Sequence, residues 1–286
     1  MNWDFDAIGT HWRITTPVLI GSEEKTSIID RIEAFDWSYS RFRNDGLIAG
    51  IRETVGTHVL PDDAEPLINF YRRLYDVTGG GITPLIGRTL EQLGYDADYS
   101  LNPGETDSLP SWGDALAYHH PVLEVKQAGL VLDFGAAGKG YLVDIVADML
   151  RACDHHEFVI NAGGDITVRG ESRRIELEDP HDTSRSIGFV ELKSGQSICA
   201  SATSRRRWRN LHHVIDPNTL LPTDTIVASW VIADSCMMAD GLATALWFSN
   251  PAKLLRTFPV EYLLIKADQI QSSSQFGARL YTGETA

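Results

Sequence analysis

The stretch Val131–Arg151 reads VLDFGAAGKGYLVDIVADMLR and carries three local signals in succession. Leu130, Val131 and Leu132 lead into Asp133 as an apolar run. Glycines follow at 135, 138 and 140, and then Leu142, Val143, Ile145, Val146, Met149 and Leu150 recur at helical spacing. The pattern predicts a strand, a tight turn and a helix. Glycines at such a turn admit two uses. They let backbone amides approach an anion at the positive end of the helix dipole, or they let neighbouring elements pack closely. Two familiar motifs are excluded. A Walker loop needs glycine where Asp133 stands and Ser or Thr where Gly140 stands. Asp133-Phe134-Gly135 spells the kinase metal triplet, but no His-Arg-Asp loop precedes it.

The 286 residues suffice for a well-buried core. Hydrophobic residues make up 43% and charged residues 22%, which argues against wholesale disorder. A net charge of −14 argues against general binding of nucleic acid or anionic membrane. Cys153, Cys199 and Cys236 lack the paired spacing of zinc or redox sites and read as reduced core thiols. The start MNWDFDAIGTHW has neither a basic opening nor an apolar run, and no stretch approaches the roughly 20 apolar residues of a membrane helix. The expectation is a cytoplasmic protein without membrane insertion.

Working outward, residues 7–20 predict one opening strand. Ile28, Ile29, Ile32 and Phe35 mark one buried face of a helix beginning at Gly21-Ser22, and Ser22 with Lys25 makes no capping box. A second helix opens at Pro61-Asp62-Asp63, buries Leu67, Ile68, Tyr71, Leu74 and Tyr75, and stops at Gly79-Gly80-Gly81. Residues 83–93 predict a shorter helix, and 96–117 a polar loop or a seam between lobes. Val122–Val125 and Leu130–Phe134 predict a hairpin. Beyond the central helix, EFVINAGGDITVRG gives two strands broken by a bulge or sharp bend at 162–165, and further short strands follow at 174–177, 187–192 and 197–202. The whole reads as an α+β chain with mostly antiparallel sheets packed by helices.

Three later features carry chemistry. Arg205, Arg206, Arg207 and Arg209 form one basic patch, suited to a solvated face or to an anionic ligand or partner. His212-His213 follows on a predicted strand, where one of the two faces any given site. His213 is the candidate, as a base or as a structural histidine. In the helix after Ser235, Asp240 and Thr244 share one face, which suits magnesium as well as it suits a solvated surface.

Together these segments resemble the ApbE-type flavin transferases, the FAD:protein FMN transferases. The matches run in order through Ile8-Gly9-Thr10-His11-Trp12-Arg13, Thr78-Gly79-Gly80-Gly81 with Pro84, the Asp133–Tyr141 loop, Asn161-Ala162-Gly163-Gly164-Asp165, His213-Val214-Ile215-Asp216-Pro217, and Ala239-Asp240 with Thr244-Ala245-Leu246. The resemblance implies a single two-lobed domain over 1–286 with an FAD cleft between lobes. It gives Asp240, Thr244 and the Ala136 carbonyl as magnesium ligands. Asp133 and Lys139 would hold FAD, with Gly94-Tyr95 against the cofactor. The implied reaction esterifies FMN from FAD onto a Thr or Ser hydroxyl of an acceptor protein and releases AMP, with His213 or Asp240 as base. FAD pyrophosphatase activity and catalytically silent FAD binding are the alternatives. The chain departs from the family at Thr83, at Leu220, in CASATS from Cys199, and around Arg52, where an Asn is usual. Asp133 also has a simpler use, capping the turn it precedes.

Overall fold

The computed structural model describes residues 1–203 and 206–281. Eight strands lie side by side in the order in which the chain makes them. They are β1 (Asn2–Ala7), β2 (Thr10–Thr15), β3 (Phe158–Ala162), β4 (Asp165–Arg169), β5 (Ser197–Ala202), β6 (Ile226–Ala233), β7 (Glu261–Lys266) and β8 (Ile270–Ser272). Every neighbouring pair is antiparallel. Helices α1 (Ser22–Tyr39), α2 (Ala64–Thr78) and α3 (Gly138–Ala152) lie in the excursion between β2 and β3, and α4 (Cys236–Ala245) lies between β6 and β7. Two three-stranded antiparallel sheets and two short two-stranded ladders lie beside the main sheet. One three-stranded sheet joins Gly56–Val59, Val122–Val125 and Leu116–His119, and the other joins Arg173–Glu178, Ser186–Leu192 and Arg279–Leu280. No helix among the described residues is long and apolar enough to cross a membrane.

The main sheet is buried on both faces, which explains the almost unbroken apolar run IVASWVIA of β6. Side chains alternate across a strand. Val231 and Ala233 join the helix-side core, whereas Ala228, Trp230 and Ile232 join a second core beneath the Arg173–Leu192 hairpin. A register irregularity between Ile226 and Ala228 returns Ile226 to the helix side. Burying one such large side chain contributes roughly 1.5–3 kcal/mol.

Several local expectations are met. α1 buries Ile28, Ile32 and Phe35, and α2 buries Leu67, Ile68, Tyr71 and Leu74. α2 ends at Gly79, whose φ of +66° is the left-handed conformation that glycine adopts without steric cost. The bend at 162–165 is a tight hairpin through Gly163 and Gly164. The strands expected at 174–177, 187–192 and 197–202 are present.

Others are corrected. The single opening strand is a hairpin of β1 and β2 that turns at Ile8-Gly9, with φ of +45° and +72°. Ile29 is exposed, because it lies 100° around α1 from the buried stripe. α1 is capped one residue earlier than Ser22, where Gly21 N–H donates to the Glu24 carboxylate at 2.6 Å. Val122–Val125 pairs with Leu116–His119, not with residues 130–134. The latter run is extended but joins no sheet, so the central element opens on a buried segment and not on a strand. It packs against residues 84–92 instead. Asp133 N–H bonds the Pro84 carbonyl at 2.7 Å, and a Cβ on Gly87 would lie 2.4 Å from the Val131 oxygen. Cys199 and Cys236 are buried, but Cys153 is exposed.

Between β4 and β5 the sheet parts. The two pair at Ser197 with Thr167 and at Ile198 with Ile166, and β5 then runs on to Ala202 along β6 alone. Beside that gap a large cavity opens.

Candidate active site

The cavity holds about 760 Å³ and is walled by the β1–β2 turn, the glycine loop, α4, the parted strands and the arm from Arg206 to Pro217. Of the residues singled out from sequence, Tyr95, Asp133, Ala136, Lys139, His213, Asp240 and Thr244 all line it. Gly94 is not among the lining residues. Its φ is +90°, a Cβ there would lie 2.4 Å from Asn102 N, and its carbonyl accepts from Leu101 N–H at 2.8 Å, so it ends a helix and seats the following loop.

The glycine loop serves packing more than anion contact. Gly135 N–H donates to Asp133 Oδ1 at 2.7 Å, Ala136 N–H to the Tyr71 hydroxyl at 3.0 Å, and Gly140 N–H to Asp240 Oδ2 at 2.9 Å. Those amides are already bonded to protein groups. Gly140 is required for another reason: a Cβ there would lie 2.3 Å from the Cys236 carbonyl oxygen. α3 and α4 cross at that point. Gly81 plays a similar part from the triple glycine, since its Cβ would meet Phe248 Cβ at 2.5 Å.

The crossing puts a carboxylate, a hydroxyl and an ammonium on one wall. Asp240 is only 5% exposed. Burial raises its pKa, while Lys139, the Gly140 amide and Arg206 pull it down. Thr244, one turn on, lies with its hydroxyl 3.0 Å from Ser201 Oγ. Lys139 forms an ion pair with Asp165, which is 1% exposed at the start of β4. No cluster of three or more His, Cys, Asp or Glu side chains suited to a metal occurs among the described residues. The donor set available is therefore all oxygen with one carboxylate. Magnesium is bound in this way when substrate phosphates complete its shell, so Asp240, Thr244 and the Ala136 carbonyl fit that ion.

Asp133 does cap its turn, and it does more. Its Oδ2 accepts from Arg41 Nε at 2.6 Å. Arg41 is 3% exposed and stacks on Phe42, with Tyr95 on the same side, at 4.1 and 5.0 Å from guanidinium carbon to ring centroid. Glu91 lies 3.8 Å from Arg41 Nη1 and also takes Arg52 at 2.5 Å. Tyr95 in turn stacks on Trp208 at 5.6 Å, giving the cavity an aromatic wall backed by charge.

The two histidines separate. His212 donates from Nε2 to the Thr223 carbonyl at 2.7 Å and accepts Val214 N–H on Nδ1 at 3.2 Å, a structural arrangement. His213 reaches the cavity. Burial, then Arg206 and His212, push its pKa down to about 3, so it is neutral at physiological pH. Of the arginine patch, Arg206 lines the cavity and Arg209 donates to Asn102 Oδ1 at 2.6 Å, whereas Arg205 lies outside the described residues.

Sequence reasoning missed Arg41, Tyr71, Asp144 and Ser201, and it quoted Asp165 without giving it a role. Only Asp165 carried a signal, as the last residue of the Asn161–Asp165 segment. The others act through contacts between residues distant in the chain.

An α+β fold with a cavity presenting oxygen donors, a lysine and an aromatic wall has the chemistry to take an aromatic, anionic ligand. Residues 8–262 match the model of the ApbE family, and the chain belongs to that family. Among its relatives, the FAD:protein FMN transferase of Treponema pallidum is 27% identical over 263 residues, 79% of this chain and 72% of that one. That of Vibrio cholerae is 26% identical over 252 residues, 82% of this chain and 75% of that one. In fold, the chain is similar to the crystal structure of the ApbE protein from Thermotoga maritima, with a TM-score of 0.82 at 21% identity over 96% of this chain and 97% of that one.

Proposed function

We propose that this chain, working as one ApbE-type unit, transfers the FMN half of FAD to a Thr or Ser hydroxyl of an acceptor protein and releases AMP. The observation that carries the reading is the meeting of Asp240, Thr244, Lys139 and the Ala136 turn in one cavity that Tyr95 and His213 also line. FAD would occupy the cavity with its diphosphate near Arg206 and near Lys139, which Asp165 holds in place, and their charge would offset that of the phosphates. Asp133, braced by Arg41, and Tyr95 position the nucleotide. Asp240, Thr244 and the Ala136 carbonyl would hold magnesium, which would supply charge neutralisation at the diphosphate. The acceptor hydroxyl oxygen bonds to the FMN-side phosphorus, the bond from that phosphorus to the bridging oxygen breaks, and AMP leaves with the bridging oxygen. His213 takes the hydroxyl proton. Burial, and then Arg206, hold its pKa low, and an anionic diphosphate in the cavity would act in the opposite sense and raise it.

Purified protein with FAD, magnesium and a flavin-acceptor protein should yield acceptor whose flavin fluorescence survives denaturation, and Asp240→Ala should lower the yield at least 100-fold. Equal transfer by Asp240→Ala sinks the metal assignment. FMN and AMP formed at the same rate without acceptor would identify a pyrophosphatase that uses water at the same phosphorus, and tight FAD binding without turnover would identify a carrier.

A further inference from the structure

We infer that Asp144 is a positioning residue for the metal site, acting through Asp240 and Thr244; this rests on the reading of those two side chains as metal ligands. At the α3–α4 crossing each helix lends the other a carboxylate. Gly140 N–H, in the first turn of α3, donates to Asp240 Oδ2 at 2.9 Å. In return the first two amides of α4, Cys236 N–H and Met237 N–H, donate to Asp144 Oδ1 and Oδ2 at 2.8 and 2.9 Å. The spacing is the same on both sides, since Asp144 follows Gly140 by one helical turn and Asp240 follows Cys236 by one turn. Ser235 Oγ takes the next amide of α4, that of Met238, at 3.1 Å.

The opening amides of a helix have no partner within it and carry the positive end of its dipole. A carboxylate that accepts from two successive amides fixes how the helix is rotated about its axis, because those N–H groups sit about 100° apart around that axis. Asp240 and Thr244 lie on the same helix, so that rotation decides whether they face the Ala136 turn. Asp144 is not among the cavity-lining residues. Its effect passes through the helix it holds. The cost of losing it should therefore fall on the ion more than on FAD.

The test uses Mn²⁺ as probe, with binding to the purified full chain plus FAD followed by electron paramagnetic resonance of the free ion. Wild type, Asp144→Asn, Asp144→Ala and Asp240→Ala are compared, together with melting temperature and FAD affinity in EDTA. Asp144→Ala should weaken Mn²⁺ at least tenfold, and Asp144→Asn, which keeps one acceptor oxygen, about threefold. Both should bind FAD in EDTA within twofold of wild type. Mn²⁺ affinity within twofold of wild type in a folded variant overturns the inference alone. So does an equal loss of FAD and Mn²⁺ affinity, which would mark a general structural role. If Asp144→Ala does not fold, Asp144→Asn decides by the same criteria. A Mn²⁺ site absent from wild type, or unaffected by Asp240→Ala, removes the metal reading and this inference with it.

Discussion

The two walls of the cavity are built differently. On one side α3 and α4 cross at Gly140 inside the main core, with Val143, Val146, Ala239 and Leu242 at most 1% exposed and two carboxylates bracing the helix starts. On the other, the arm from Arg206 to Pro222 is two ladders of two residue pairs each, whose Trp208 and Ile215 pack with Leu90, Leu93 and Tyr95 in a small cluster while Val214 reaches the main core. Its backbone also holds non-glycine residues in the left-handed region, Arg209 at +50° and Leu220 at +57°. Fixed geometry thus lies where the proposed ion and diphosphate would need it. The side that presents His213 and the aromatic wall has less packing to restrain it.

That contrast can be broken most severely at Gly140. Gly140→Ala drives a methyl group against the Cys236 oxygen and to 2.7 Å from Asp240 Cβ, so the helices must separate. Unfolding in urea should show about 1–3 kcal/mol lost, and flavin transfer should fall about 100-fold as the site shifts by a fraction of an ångström.

Trp208→Ala tests the opposite wall, removing the stack on Tyr95 and the Nε1–H bond to the Leu93 carbonyl at 2.9 Å. KM for FAD should rise about tenfold, with kcat and the global unfolding midpoint little changed. A drop in midpoint equal to that of Gly140→Ala would mean that the walls are one cooperative unit.

Acid and base titration sharpen the difference, since the walls carry buried groups of opposite kind. Burial pushes the Asp144 carboxyl up to about 6 from an ordinary 3.8, against two amide bonds that pull it down. Its contribution to stability is full below the unfolded value and is lost as pH rises through 6. His213 is held down near 3 from an ordinary 6.5, so its contribution is present above 6.5 and lost as pH falls toward 3. The unfolding free energy of wild type minus that of Asp144→Asn should therefore fall between about pH 4 and 6, with a slope of up to about 1.4 kcal/mol per unit. Wild type minus His213→Gln should rise with pH over its own range. The smallest effect is expected at Leu220, where glycine relieves the left-handed backbone. Leu220→Gly should gain about 1 kcal/mol in thermal unfolding.

What could be read beforehand follows from range. The stripes of α1 and α2, the Gly79 stop, the strands of the second half and the pairing of Asp240 with Thr244 depend on neighbours within one or two turns, and the chain spells them. Leu130–Phe134 misled because an apolar run is buried whether or not it finds a ladder, and Gly87 supplied a different neighbour. The glycine loop was legible as a site but its amides were not. Only the fold brings Tyr71 to Ala136 and Asp240 to Gly140, residues 65 and 100 positions apart. Asp144 gave no sign, since on a helix it looks like any partly exposed acid.

A last consequence follows from the order of the main sheet. β2 must find β3 across the long excursion that contains α1, α2 and α3, and joining distant segments is the slow part of assembly. The pocket takes atoms from Gly9 through Phe248, so no partly assembled chain can offer it whole. Quenching of added flavin during refolding should consequently lag behind the return of helical circular dichroism, and a ligand of the finished pocket would draw the chain toward its completed state.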